Sequence, residues 1–379
     1  MTDYSRRQFL KHLGAASALF VAGRSGLLSF AFSDGAEPFE LLVLGDSIAS
    51  GQGLREEHRF YTLTKNWLET EIFAEQRKVN LKVKAHSGTT LNLHGEEAAA
   101  FAKAEIDVTD SLNPELNVSF PSVRAQIDIA AKEYKTEKIS PESVNLIMLT
   151  GGINDITTAV ILDPFGDEKK LRAEIAKYCR DSMREILEHA GSVFPNATIV
   201  LAGYYPLIST KTSSGKLFNA VMERFNFPRP LKPVANNLFT KQFFKLFQKK
   251  GAKRSQIWLE ESNLRFGEAV DAFNSGTGTR RAIFVESPID ETNCFGTKDP
   301  LVFGMGKKGR IEDLYYDERS ALCEETVPKL NASTRLDYPM NLCKMSGLAH
   351  PNVEGSRRYT EAIKENLKPF LTVRGAAFR

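Results

Sequence analysis

Five short apolar runs, each separated from the next by a longer stretch of helical pattern, set the tightest limit on what this chain can fold into. They occupy residues 39–44, 79–85, 144–149, 197–202 and 282–285. Runs this short and largely apolar are the pattern of strands buried in a parallel sheet. The helical patterns fall at 61–76, 122–134, 168–193, 256–273 and 354–371. Alternation on that scale predicts a parallel α/β sheet covered by helices on both sides, and in such sheets chemistry collects at the C-terminal ends of the strands.

The loops at those ends carry the informative residues. Gly45-Asp46-Ser47-Ile48-Ala49-Ser50-Gly51 follows the first run and puts a serine hydroxyl beside flexible backbone. Ser87-Gly88-Thr89-Thr90 follows the second run, Gly152-Ile153-Asn154-Asp155 the third, and His350-Pro351-Asn352 precedes the last helix. Taken singly, the serine or the His-Pro-Asn sequence is a helix cap and Asn154-Asp155 an Asx turn. Taken in this order, they supply a nucleophile, amide donors and a base. No Gly-x-Ser-x-Gly elbow competes.

These four blocks resemble those of the SGNH (GDSL) hydrolases, over the chain from Phe39 onward apart from two insertions. The resemblance implies a flavodoxin-like three-layer α/β/α sandwich on a five-stranded parallel sheet, the SGNH hydrolase fold. It implies Ser47 as nucleophile and His350 as general base. The oxyanion hole would be the backbone N–H groups of Ser47 and Gly88 with the side-chain amide of Asn154. Asp46, Gly152 and Asp155 are supporting residues, the two aspartates bracing loops rather than moving protons. Glycine at 88 leaves an approaching substrate room. No metal or organic cofactor is implied.

The chain departs from that pattern at one place. The related proteins carry an aspartate three residues before the histidine, and here Met345-Ser346-Gly347-Leu348-Ala349-His350 has Gly347 instead. A backbone carbonyl that accepts the Nδ1 proton is the favoured replacement. An acid from the preceding loop, Asp337 or Asp317, is the second reading, and an inactive protein the third. Of the other histidines, His12, His58, His94 and His189 fall in leader, polar or helical surface contexts, and His86 is expected to line the pocket.

Among the 379 residues 42% are hydrophobic and 26% charged, which places the chain among globular proteins. A net charge of only +3 argues against a general nucleic-acid binder. Ser5-Arg6-Arg7-Gln8-Phe9-Leu10-Lys11 followed by small apolar residues resembles a twin-arginine signal over 1–36, with cleavage expected after Ala31 or, less favourably, Ala36. Export to the periplasm or outside follows, with 37–379 as the hydrolase domain. In that oxidising setting Cys323 and Cys343, which flank a stretch just before His350, are expected to pair; four free thiols, with Cys179 and Cys294, are the alternative.

Two stretches interrupt the repeat. Residues 91–121 read as a surface excursion with one helix near 96–103. Residues 210–255 are dense in Lys, Arg and Phe with Glu223 as their only acid. Over 236–250 the helical phase gathers Phe239, Phe243, Leu246 and Phe247 opposite Lys241, Lys245 and Lys249, which suits either a lid packed on the body or a helix touching anionic membrane. The leading expectation is therefore an exported esterase or lipase cleaving a small-molecule or lipid carboxylic ester through an acyl-Ser47 intermediate. A carbohydrate O-deacetylase or acyltransferase of the cell envelope is its chemical neighbour. A non-catalytic exported binding protein on the same fold is the competing class.

Overall fold

A computed structural model describes residues 37–109, 113–224 and 238–375, with backbone alone at 238–243 and 372–375. The expected export signal lies outside the described residues, as does 225–237 of the second insertion.

All five apolar runs form strands: β1 Phe39–Leu44, β2 Val79–Val83, β3 Val144–Leu149, β4 Thr198–Ala202 and β5 Ala282–Val285. They pair in the order β2-β1-β3-β4-β5, every pair parallel, which is the expected five-stranded flavodoxin-like sheet. Every residue of β1 and β4 is buried, because helices lie on both faces. On one face the Phe60–Trp67 and Val353–Gly375 helices pack together, the Phe60 and Tyr359 rings stacking at 5.8 Å. On the other lie the Val123–Thr136, Met183–Val193 and Leu238–Thr277 helices. The strand order reverses at β1, so the loops after β1 and β3 leave the sheet side by side at its carboxyl edge.

The first insertion contains the expected helix, Gly95–Lys103. It is less peripheral than the sequence suggests: Phe101, Val118 and Phe120 form a small core with Leu330. The second insertion departs further. The helical patterns at 236–250 and 256–273 are continuous, one helix running unbroken from Leu238 to Thr277. Its inward face over 244–255 also differs in phase, since Phe244 packs on the core and Gln248 is buried while Leu246 is exposed. Gln248 donates to Thr212 O at 2.6 Å, and Gly251 lets Ile208 approach closely. The expected contacts of Phe239, Lys241 and Phe243 lie outside the described side chains. Among the described residues no helix is long and apolar enough to cross a membrane.

Candidate active site

The Gly45–Ser50 segment is held from below by Thr150 and Tyr204. Gly45 has φ +125° and faces Thr150 so closely that no side chain fits. Asp46 caps the short Ser47–Ser50 helix, accepting from Ile48 N at 3.0 Å. The same buried carboxylate accepts from Thr150 Oγ1 at 2.7 Å and from the Tyr204 hydroxyl. Burial raises its pKa, and these donors pull it back. Asp46 thus ties the loop to Thr150 and Tyr204. The first residue of a helix has no intrahelical acceptor for its N–H, which leaves the Ser47 amide available to an incoming oxygen.

Ser47 Oγ lies 2.7 Å from His350 Nε2. His350 comes from the far end of the chain, on the turn before the Val353–Gly375 helix, and Asn352 caps that helix by accepting from Gly355 N at 2.9 Å. The other ring nitrogen, Nδ1, faces the Leu348 carbonyl at 3.3 Å. A carbonyl only accepts, so Nδ1 carries the proton and Nε2 presents its lone pair to the serine hydroxyl. Burial, with the positive charge of Arg319 beyond it, pushes the ring's pKa down to about 4. At neutral pH the base is unprotonated.

The carbonyl reading of the histidine's partner therefore matches the geometry, and the two acids named from sequence do not. Asp317 is on the surface, bound to both Arg310 nitrogens, and Asp337 is exposed. The acid that sequence reasoning missed is Asp313. Its carboxylate, paired with Arg319, occupies the space where a side chain on Gly347 would begin.

The donors converge from two further loops. Gly88 has φ +80°, and a Cβ there would meet Asn117 and the Val118 backbone at 2.6 Å. Glycine is thus required by the chain packed behind it, a reason independent of substrate. Asn154 begins the turn after β3, where Gly152 adopts φ +116°. Its Nδ2 donates to Thr89 O at 2.8 Å, which fixes the amide and leaves its second hydrogen for another acceptor. Asp155 holds the neighbouring segment by accepting from Leu91 N at 3.1 and 3.2 Å, with His94 Nε2 at 3.6 Å. Burial pushes its pKa up to about 7. The His94 side chain, 42% exposed, lies at the surface beside this loop.

Gln126 was not singled out in the sequence, yet it joins these loops. Its Oε1 accepts from Gly45 N at 2.7 Å, and its Nε2 donates to Gly45 O, Pro121 O and Thr89 Oγ1. His86, expected as a pocket wall, is fully buried, with Nδ1 on Ser87 O at 2.8 Å and its pKa pushed down to about 4 by burial. Cys323 and Cys343 are bonded, while Cys179 and Cys294 are buried free thiols. Beside the histidine segment opens a cleft of about 590 Å³ lined by Phe295, Phe303, Met305, Asn352 and Glu354 among others. None of Ser47, Gly88, Asn154 or His350 lines it, so these four residues sit beside this cleft and not in it. Among the described residues no group of His, Cys, Asp and Glu is arranged to hold a metal ion.

No protein-family model matches the chain, and no curated protein matches it in sequence. Solved structures are similar at low identity. An extracellular lipase from Streptomyces rimosus is 12% identical, with a TM-score of 0.40 covering 86% of this chain and 99% of that one. Phospholipase A1 from Streptomyces albidoflavus is 11% identical, TM-score 0.40, covering 87% and 100%. A family two carbohydrate esterase from Clostridium thermocellum is 12% identical, TM-score 0.40, covering 91% and 67%.

Proposed function

We propose that the protein is a serine ester hydrolase of the SGNH type, acting through an acyl-Ser47 intermediate. The observation that carries this is the Ser47 Oγ to His350 Nε2 contact of 2.7 Å at the carboxyl edge of a parallel sheet, with Nδ1 on a carbonyl. Ser47 Oγ attacks the ester carbonyl carbon as its proton passes to Nε2. The negative charge that forms on the carbonyl oxygen is met by the N–H groups of Ser47 and Gly88 and by Asn154 Nδ2. The imidazolium then protonates the departing alkoxide, and water, deprotonated by the same Nε2, releases the acid and restores the serine. A fluorophosphonate probe tests this directly: a single adduct on Ser47, absent in Ser47→Ala, is expected. An unlabelled Ser47 in the folded protein refutes the reading and favours a binding protein.

The substrate class we propose is a lipid or short-chain acyl ester, supported by a surface patch the sequence only half revealed. Phe165 (73% exposed), Leu246 (52%) and Val160 (44%) stand out from the body, and the Phe165 and Phe247 rings meet at 5.0 Å. Exposed Lys245, Lys249 and Lys250 surround them. An apolar knob ringed by lysines suits peripheral contact with anionic membrane. Not all of the insertion's charge serves this end: Arg254 is buried and donates to the carbonyls of Val160, Ile161 and Gly166. Cosedimentation with anionic but not zwitterionic vesicles, weakened in Phe165→Ser/Leu246→Ser, is expected. p-Nitrophenyl esters of graded length set against acetylated polysaccharide decide the acyl group, strict acetyl preference counting against lipid. Export by the twin-arginine route is part of the proposal; retention of the Arg6→Lys/Arg7→Lys chain inside cells tests it.

A further inference from the structure

The ester-hydrolase reading leaves His350 with a neutral acceptor on Nδ1, so nothing in direct contact offsets the charge that forms on the ring. Four ionisable residues form a buried chain beneath it, in the order Arg59, Glu115, Arg319, Asp313. Arg319 Nη1 donates to Glu115 Oε2 at 3.0 Å, and its Nη2 donates to Asp313. Arg59 Nη2 lies 3.9 Å from the second oxygen of Glu115, and Arg59 Nη1 lies 3.4 Å from Glu56. The Arg319 side chain is fully buried, as is that of Asp313. Buried ion pairs are seldom retained for stability, since apolar replacements of equal volume often serve as well.

What this chain touches points to its use. Glu115 accepts from Gly53 N at 3.1 Å, just past the nucleophile helix. Its backbone oxygen accepts from Gln52 Nε2, and the same amide donates to Ser346 Oγ at 2.8 Å. Arg319 Nε donates to Lys344 O at 3.3 Å. The helix that carries Arg319 also carries Cys323 one turn on, whose disulfide to Cys343 holds the same histidine segment. Asp313 closes the set by filling the space beside Gly347 Cα, which is why that residue has no side chain.

We propose that Asp313, Arg319 and Glu115 are the positioning unit of the Ser47–His350 pair, a buried carboxylate–guanidinium–carboxylate chain that ties the segment after the nucleophile to the segment before the base. The inference rests on the ester-hydrolase reading. Its second consequence is electrostatic. Arg319 is the charge that bears on the His350 ring and opposes its protonation. Asp313 and Glu115 neutralise that cation, with Arg59 acting on Glu115 from the other side, so the imidazolium of acyl transfer forms beside a balanced cluster.

The test uses the full chain and two readouts, the NMR titration of the His350 ring and the kinetics of a p-nitrophenyl ester. Asp313→Asn keeps shape and removes the charge. Its ring should titrate at lower pH than in the parent, and kcat should fall by up to about 10²-fold through lost alignment, with KM held within about twofold. Adding Arg319→Met to Asp313→Asn removes the unbalanced cation and should move the titration back up. A lower melting temperature with the ring titration and kcat unchanged would overturn the inference. Should Asp313→Asn fail to fold, Arg319→Lys decides: it keeps the charge but loses the fork, so kcat should drop with little change in the titration, and an unchanged kcat refutes the proposal. A parent that titrates as described but cleaves no ester refutes the hydrolase reading alone; one that cleaves esters but whose ring ignores Asp313 refutes this one alone.

Discussion

Replacing Gln126 by leucine should cost both stability and reactivity, because one buried amide serves the nucleophile loop and the oxyanion loop together. In the variant the Gly45 N–H loses its acceptor at 2.7 Å and is left buried without a partner. An orphaned donor of that kind costs about 1–3 kcal/mol. Two Nε2 donors, shared among Gly45 O, Pro121 O and Thr89 Oγ1, are also lost. Each is worth about 0.5–1.5 kcal/mol net; Gly45 O keeps a second donor in His86 N and Pro121 O keeps Thr89 Oγ1, so neither is orphaned. Together the loss is roughly 2–6 kcal/mol, against a total stability of about 5–15 kcal/mol for an ordinary domain. Urea unfolding followed by circular dichroism measures the first effect, and the rate of fluorophosphonate labelling of Ser47 the second. A loss below about 1 kcal/mol would show that the loops hold themselves. A large loss with an unchanged labelling rate would show that the tie does not set the geometry of the site.

Other outcomes follow from the same geometry. Asn154→Ala should lower kcat by about 10²–10³-fold with a smaller effect on KM, as measured by steady-state kinetics on the best ester. The acid limb of kcat/KM should lie near the ring's value of about 4 rather than near the usual histidine value, since a neutral His350 is required. Stability should fall as pH drops from the ordinary histidine range toward about 4, because His350 and His86 are held neutral in the fold and the unfolded chain takes up the protons they refuse; urea midpoints across that window check it. Reducing the Cys323–Cys343 bond, which closes a separation of 20 residues, should cost about 3 kcal/mol. Labelling of Ser47 should slow as well.

The sheet was legible in the sequence because its inner strands, buried on both faces, are largely apolar, a signal that local inspection can read; the edge strand Val79–Val83 alternates instead and is only partly buried. Ser47, Gly88, Asn154 and His350 were legible for a related reason, each standing at a fixed place relative to a strand end or helix start. Gln126, Tyr204 and Thr150 were not, because their roles arise from hydrogen bonds across the fold, Tyr204 reaching Asp46 from 158 positions away. Asp313 escaped notice similarly. Its proximity to Gly347 is set by Arg319 and by the chain's return past Gly53, not by spacing along the sequence. The phase of the 236–250 helix misled because the residue facing inward at 248 is a glutamine, buried through its hydrogen bonds and invisible to a reading by hydrophobicity.

The Leu238–Thr277 helix spans 40 residues, or about 60 Å at the α-helical rise. Near one end it carries Leu246 and the lysines of the surface patch. Farther along, Trp258 and Phe266 lie against Tyr204 at 5.4 and 6.0 Å, and Tyr204 holds Asp46 below the nucleophile. An insertion on a hinge could swing like a door, but an unbroken rod cannot fold at its middle without breaking its own hydrogen-bond ladder. The patch and the serine therefore keep a fixed bearing, as a fin does to its keel. A surface that seats Phe165 and Leu246 also sets the direction from which the site is approached.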